Sequence, residues 1–241
     1  MSLENVMDLI WGDEPIKALE LVKTIEGEEA RELQKKIQKK LDHIINPDIY
    51  IKKYKEDPMG WRPENMWNHR YNWVWNYVVN SNAKSYLDIG CYEGTLVLKA
   101  AHELGIKAVG VELCTAACEW NTSRIKLGAD AKFINSTLED YKDDNKYDIV
   151  VCMEVIEHVK DPQRIISLMK SVMHENSIGL ITTPKGCLDL DNTKRIWNDP
   201  REDVVFDHVR TYQVNSLRKE IGTSYVHVIE AGPELYAMFQ L

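Results

Sequence analysis

From residue 85 onward the chain alternates short β-rich runs with stretches long enough for a helix, and this alternation limits the fold more than any other feature. The runs are Ser85 to Ile89, Ala108 to Glu112, Ala131 to Asn135, Tyr147 to Met153 and Ser177 to Thr183. Parallel neighbours need long crossovers, normally helices, so the pattern predicts a mostly parallel sheet wrapped on both faces. Two further runs, Tyr225 to Ala231 and Glu234 to Leu241, are joined only by Gly232-Pro233. That link is too short for a crossover and predicts an antiparallel hairpin closing the sheet. The expected class is α/β: a doubly wound, mostly parallel seven-stranded sheet with a terminal antiparallel hairpin. In such sheets ligands bind outside the carboxyl ends of the strands where strand order reverses, so the chemistry belongs just after strands one to four.

Ahead of the sheet, Val6, Ile10, Ile16, Leu19, Val22, Ile25, Leu33, Ile37 and Leu41 recur at helical spacing, broken at Gly12 to Pro15 and at Gly27. This predicts two or three short helices. Turn-rich Asn46-Pro47 and Asp57 to Gly60 then set the expected boundary between a helical extension, 1–57, and a main domain, 58–241. The extension reads either as a cap on the main domain or as a surface for a protein partner or second subunit. Trp67, Tyr71 and Trp75 stand at i, i+4 and i+8, one helical stripe that reads as a core face, with a pocket wall as the alternative. The irregular stretch Lys185 to Val205, with Trp197, reads as a lid or acceptor wall.

Net charge is −8 and is spread over both parts, which disfavours RNA or any partner bound through phosphate neutralisation. No apolar run reaches the ~18 residues of a membrane span, and the acidic N-terminus is unlike a secretory signal, so a cytoplasmic protein is expected. Five cysteines at irregular spacing read as reduced thiols, and Cys114 with Cys118 as packing rather than a zinc pair.

After the first strand comes Asp88-Ile89-Gly90-Cys91-Tyr92-Glu93-Gly94, leading into a helical run. Glycines there let backbone approach a ligand as the chain turns into a helix N-terminus. A dinucleotide fingerprint would carry a glycine where Tyr92 stands, which weakens a nicotinamide oxidoreductase reading. Glu112 ends the second strand, where a carboxylate can accept both hydroxyls of an adenosine ribose.

In LDIGCYEG, VGVEL, YDIVVCMEVIEHV and the terminal hairpin, residues 65–241 resemble the class I S-adenosylmethionine-dependent methyltransferases, a Rossmann-like fold. The resemblance implies S-adenosyl-L-methionine as cofactor. Asp88, Gly90, Cys91, Tyr92 and Gly94 would shape the methionine end, Glu112 would hold the ribose, and Leu113 would lie against adenine. Ser136 and Thr137 stand where relatives often carry an acid near the adenine amine. Met153 and Glu154 would border the cofactor from the fourth strand, and Arg70 would pair with its carboxylate or with a surface acid.

Glu154, Glu157 and His158 lie together if the chain turns helical as it leaves the fourth strand. Three readings follow: Glu154 touches the cofactor while His158 only packs; His158 is the base that takes the proton of a substrate hydroxyl; or Glu154, Glu157 and His158, with His208 as fourth ligand, hold Mg2+ or another divalent cation. The E-x-x-E-H pattern is similar to that of the ubiquinone-pathway O-methyltransferases and the small-RNA 2′-O-methyltransferases. It implies O-methylation, catalysed through His158, Glu157 and His208. The expected acceptor is a small hydroxylated molecule such as a saccharide or phenol, with RNA 2′-O-methylation as the alternative. A non-catalytic interaction protein is the reading from another class.

Overall fold

A computed structural model describes residues 2–11, 15–45, 69–138, 140–159, 161–185 and 212–241. Trp67, Trp197, Cys187 and His208, and with them the proposed lid and the fourth metal ligand, lie outside these residues.

Strands β1 (Ser85–Ile89), β2 (Lys107–Glu112), β3 (Ala131–Asn135), β4 (Tyr147–Met153), β5 (Met173–Pro184), β6 (Tyr225–Ala231) and β7 (Glu234–Gln240) form one sheet in the order β3-β2-β1-β4-β5-β7-β6. The first five are parallel, and β7 runs antiparallel to both β5 and β6. Four of the seven strands occupy the residues expected from the sequence. The long exception is β5, which begins at Met173 through an irregular register against Tyr147 and Ile149. The Ser177 hydroxyl donates to the Tyr147 carbonyl (2.7 Å) and accepts the His174 amide (2.7 Å), while His174 Nε2 bonds Asp148 Oδ1 (2.9 Å). These polar anchors extend the strand where hydrophobic alternation gives no signal.

Side chains alternate across the sheet. Leu87 and Ile89 of β1 enter one core with α7 (Pro162–Ser171) and α8 (Val214–Ile221), and Tyr86 enters the other with α4 (His69–Asn80) and α5 (Thr95–Leu104). Helix α6 (Thr115–Ser123) follows β2. Burial on both faces explains why β1, β2 and β4 read as nearly continuous apolar runs. In α4 the buried positions are Val74 and Val78, not an aromatic stripe. Tyr71, Trp73, Trp75 and Tyr77 pack partly exposed around the same core, with Trp73 edge-on to Tyr236 at 5.1 Å. Tyr71 and Trp75 of the expected stripe thus pack on this core as partly buried members, with the compact Val74 and Val78 fully buried beside them.

Helices α1 (Leu3–Trp11), α2 (Pro15–Val22) and α3 (Glu28–Ile45) bury Val6, Ala18, Leu19, Val22, Ala30 and Ile37 in a separate cluster. Cys91, Cys114, Cys118 and Cys152 are free, buried thiols. Among the described residues no helix is long and apolar enough to cross a membrane.

Candidate active site at the carboxyl edge of the sheet

Strand order reverses between β1 and β4, and the two non-glycine residues with positive φ among those described flank that point: Tyr92 (45°) after β1 and Glu154 (52°) after β4. Left-handed backbone costs a side-chain-bearing residue of order 1–3 kcal/mol, so such positions persist only where surrounding bonds hold them. At Tyr92 the bonds are identifiable. Its N–H donates to Glu112 Oε2 (2.9 Å), and its carbonyl accepts from Asn121 Nδ2 (2.7 Å). Glu154 N–H donates to the Thr182 carbonyl (2.9 Å), and its Oε1 accepts from the Thr182 hydroxyl (2.9 Å).

The glycine loop is packed as tightly as the sequence suggests. Gly90 sits at φ 77°, and a Cβ there would fall 2.4 Å from Val155 Cγ2, so only glycine lets the loop close on the exit of β4. Gly94, at φ 62°, precedes α5, and a Cβ there would fall 2.4 Å from Phe133 Cε1. Asn121, on α6, reaches into this loop and was not indicated by any motif. Its Oδ1 is buried with no protein partner.

Glu112 is 3% exposed, with Oε1 accepting the Cys114 N–H (2.7 Å) and Oε2 the Tyr92 N–H. Burial pushes its carboxyl above the usual range, opposed by these backbone bonds. Each oxygen retains a second lone pair. Leu113 lies half-buried beside it. Thr137 Oγ1 donates to Asp140 Oδ2 (2.8 Å) and Ser136 Oγ to the Thr137 carbonyl (2.9 Å), so both hydroxyls are tied into the turn after β3. Asp88 accepts from the Tyr86 hydroxyl (3.1 Å) through Oδ2, and its buried Oδ1 has no partner. Burial, with the charge of Glu112 adding, pushes the Asp88 carboxyl up to about 7 against the bond from Tyr86.

Leaving β4, the chain makes a turn rather than the helix that the E-x-x-E-H reading required, and the expectation is corrected: the left-handed step at Glu154 separates its direction from that of the residues after it. Glu154 Oε2 lies 3.6 Å from Arg70 Nη2. Glu157, 1% exposed, instead accepts from the Thr183 hydroxyl (3.0 Å), with its other oxygen 3.8 Å from His158 Nε2. Burial, with the charge of Glu154 adding, pushes Glu157 up to about 8. Among the described residues no group of three or more His, Cys, Asp or Glu side chains is placed to hold a metal ion.

Every buried acidic side chain among the described residues, Asp88, Glu93, Glu112, Glu157 and Glu234, lies at this one edge of the sheet. Buried carboxylates are costly unless paired or neutralised; Glu234 and Glu112 are satisfied by the bonds of Arg70 and of backbone N–H groups, whereas Asp88 Oδ1 and Glu157 Oε1 have no hydrogen-bond partner.

A doubly wound sheet with a reversed terminal hairpin and a glycine loop at its switch point places the protein among the class I S-adenosylmethionine-dependent methyltransferases. The comparisons agree. The chain belongs to the methyltransferase domain family, whose model matches residues 34–222. Among curated relatives it is similar to the ubiquinone biosynthesis O-methyltransferases of Rickettsia canadensis (32% identical over 98 residues, 40% of this chain and 41% of the relative) and Vibrio atlanticus (35% over 101 residues, 41% and 42%). The match thus spans about two fifths of the length of those relatives. Of solved structures, the magnesium protoporphyrin IX methyltransferase of Synechocystis, crystallised with S-adenosylhomocysteine, superposes with TM-score 0.60 at 17% identity, covering 80% of this chain and 100% of that one. The methyltransferase domain of bacterial CtHen1 superposes with TM-score 0.52 at 22% identity, covering 71% and 97%. At these identities the superpositions establish the fold.

Proposed function

We propose that the protein transfers the methyl group of S-adenosyl-L-methionine to a hydroxyl oxygen of a small acceptor. One observation carries the reading: Glu112, the Gly90–Gly94 loop and the unpartnered Asp88 Oδ1 converge where strand order reverses. The residues fit the cofactor's chemistry. Glu112 would accept the ribose hydroxyls, with Leu113, Ser136 and Thr137 around the adenine. Asp88, Cys91, Tyr92 and the loop glycines would enclose the methionine end, and Met153 and Glu154 would border it from β4. Arg70 would meet the cofactor carboxylate. The cofactor supplies a methyl already activated on a sulfonium, so the protein's task is to align an oxygen with it and accept one proton. O-transfer is supported by the names of the curated relatives. The sheet domain would carry all of this, and α1–α3, with their own core, would form the helical extension of 1–57.

The test is calorimetry and thermal unfolding with S-adenosylhomocysteine, followed by a screen of phenolic, saccharide and short RNA acceptors. Saturable binding with a raised melting temperature is expected, because a ligand that binds only the folded site stabilises it. A flat calorimetric trace would refute the reading.

For the proton, His158 is the candidate base, since a neutral imidazole titrates near working pH. Burial and the neighbouring Glu154 charge hold the Glu157 carboxyl above the usual range, which favours its neutral, hydrogen-bonding form. Glu157→Gln, a neutral isostere, is therefore expected to keep its fold and at least half its turnover, also in a chelator. A divalent cation held by Glu154, Glu157, His158 and His208 would instead require the carboxylate, and loss of turnover both in Glu157→Gln and on chelation would establish that alternative.

A further inference from the structure

The first turn of α4 and the first residue of β7 meet at a carboxylate that no sequence motif singled out. Glu234 is 4% exposed and accepts from Arg70 Nε (2.7 Å), Arg70 Nη2 (2.5 Å), His69 Nε2 (2.7 Å) and the Tyr236 hydroxyl (2.5 Å). Because Glu234 pairs with Pro184, it lies at the carboxyl end of β5, on the same edge as the glycine loop. Arg70 is thus held between Glu234 and Glu154, the latter 3.6 Å from Nη2. Tyr71, next on the helix, lies half-buried in the field of Asp88, Glu93 and Cys91. Two consecutive residues of α4 therefore reach from the β5–β7 edge to the loop after β1.

A guanidinium carries five N–H donors in a planar fork, and its long side chain loses rotamer entropy when fixed. Glu234 takes the Nε side of that fork and bears this ordering before any ligand arrives. Its charge is in turn shared among Arg70, His69 and Tyr236, and these bonds hold the Glu234 carboxyl below the usual range although burial alone would raise it.

We propose that Glu234 is a positioning residue for the amino-acid end of the cofactor, holding Arg70 in the pose from which its guanidinium receives the cofactor carboxylate. The inference rests on the methyltransferase reading above. It is tested by calorimetry on the full chain with two probes: S-adenosylhomocysteine, and 5′-methylthioadenosine, which keeps the adenosine and thioether but lacks the amino-acid end. Glu234→Ala is expected to weaken S-adenosylhomocysteine about tenfold, as for loss of an ordered charge-assisted contact, and to leave 5′-methylthioadenosine within about twofold. Should that variant fail to fold, Tyr236→Phe removes one donor to Glu234 and is expected to give a smaller loss, about threefold, again for the first probe alone. Unchanged affinities, or equal losses for both probes as a general structural defect would give, overturn the proposal. So does tighter S-adenosylhomocysteine binding, which would mean that Glu234 competes for Arg70. A wild-type chain that binds neither probe overturns the methyltransferase reading itself.

Discussion

Glu112→Ala is expected to weaken S-adenosylhomocysteine about a hundredfold, a loss of ~3 kcal/mol, measured by calorimetry at constant pH. Two contributions act together. On the proposed ribose assignment, the cofactor would lose two hydrogen bonds to a carboxylate inside a site where water competes poorly. The same substitution removes the acceptor of the Tyr92 and Cys114 N–H groups. Tyr92 is at φ 45°, a conformation held in part by that bond, so the glycine loop should relax away from its ligand-ready shape. The first contribution predicts a companion result, because both probes carry the ribose: 5′-methylthioadenosine should also weaken strongly, unlike the selective loss expected at Glu234. Undiminished affinity in a folded Glu112→Ala protein would remove the ribose assignment.

The second large effect is in pH. Asp88 has its carboxyl raised to about 7 by burial and by the charge of Glu112. A sulfonium or ammonium arriving beside it favours the ionised form and lowers that value. The free protein therefore carries more protons than the complex, so binding releases protons and affinity rises with pH until the free carboxyl is ionised. If only the ionised form binds well, affinity for S-adenosylmethionine should increase about tenfold between roughly pH 6 and pH 8 and level off above. Asp88→Asn should bind at the low-pH level throughout. Calorimetry in phosphate and in Tris, whose ionisation enthalpies differ, counts the released protons directly. An affinity constant across that range in the wild-type chain would show that Asp88 does not face the cation.

How much of this was legible beforehand follows from the distance over which each feature is encoded. β1, β3, β4 and β6 could be read residue for residue, because a strand's identity lies in a handful of adjacent side chains buried on one or both faces. The positions of Asp88, Gly90, Gly94, Glu112 and Glu154 near the switch point could be anticipated, because each stands at or just after the carboxyl end of a strand and the fold class places those ends there. Spacing failed where backbone conformation intervened. Glu154, Glu157 and His158 would share a face on a helix, but a single left-handed residue sent Glu154 toward Arg70 and Thr182 and left Glu157 with Thr183. For the aromatic stripe, helical periodicity identified the face of α4 on which Tyr71 and Trp75 pack, but not that Val74 and Val78 would be its fully buried members.

Glu234 and Asn121 went unrecognised because their partners are far away in sequence, Glu234 being 164 positions from Arg70. The faint signal for Glu234 was a lone acid opening an otherwise apolar strand directly after Gly232-Pro233.

The order of amino acids therefore determined which segments became strands and helices, and which chemical groups would stand at their ends, since both depend on contacts between near neighbours in the chain. Only the tertiary structure decided which of those groups pair, which stay buried without a partner and which ionise. A carboxylate's free energy depends on the donors and the dielectric around it, and here these are assembled from β1, β2, β4, β5, β7 and α4 by the order of the strands.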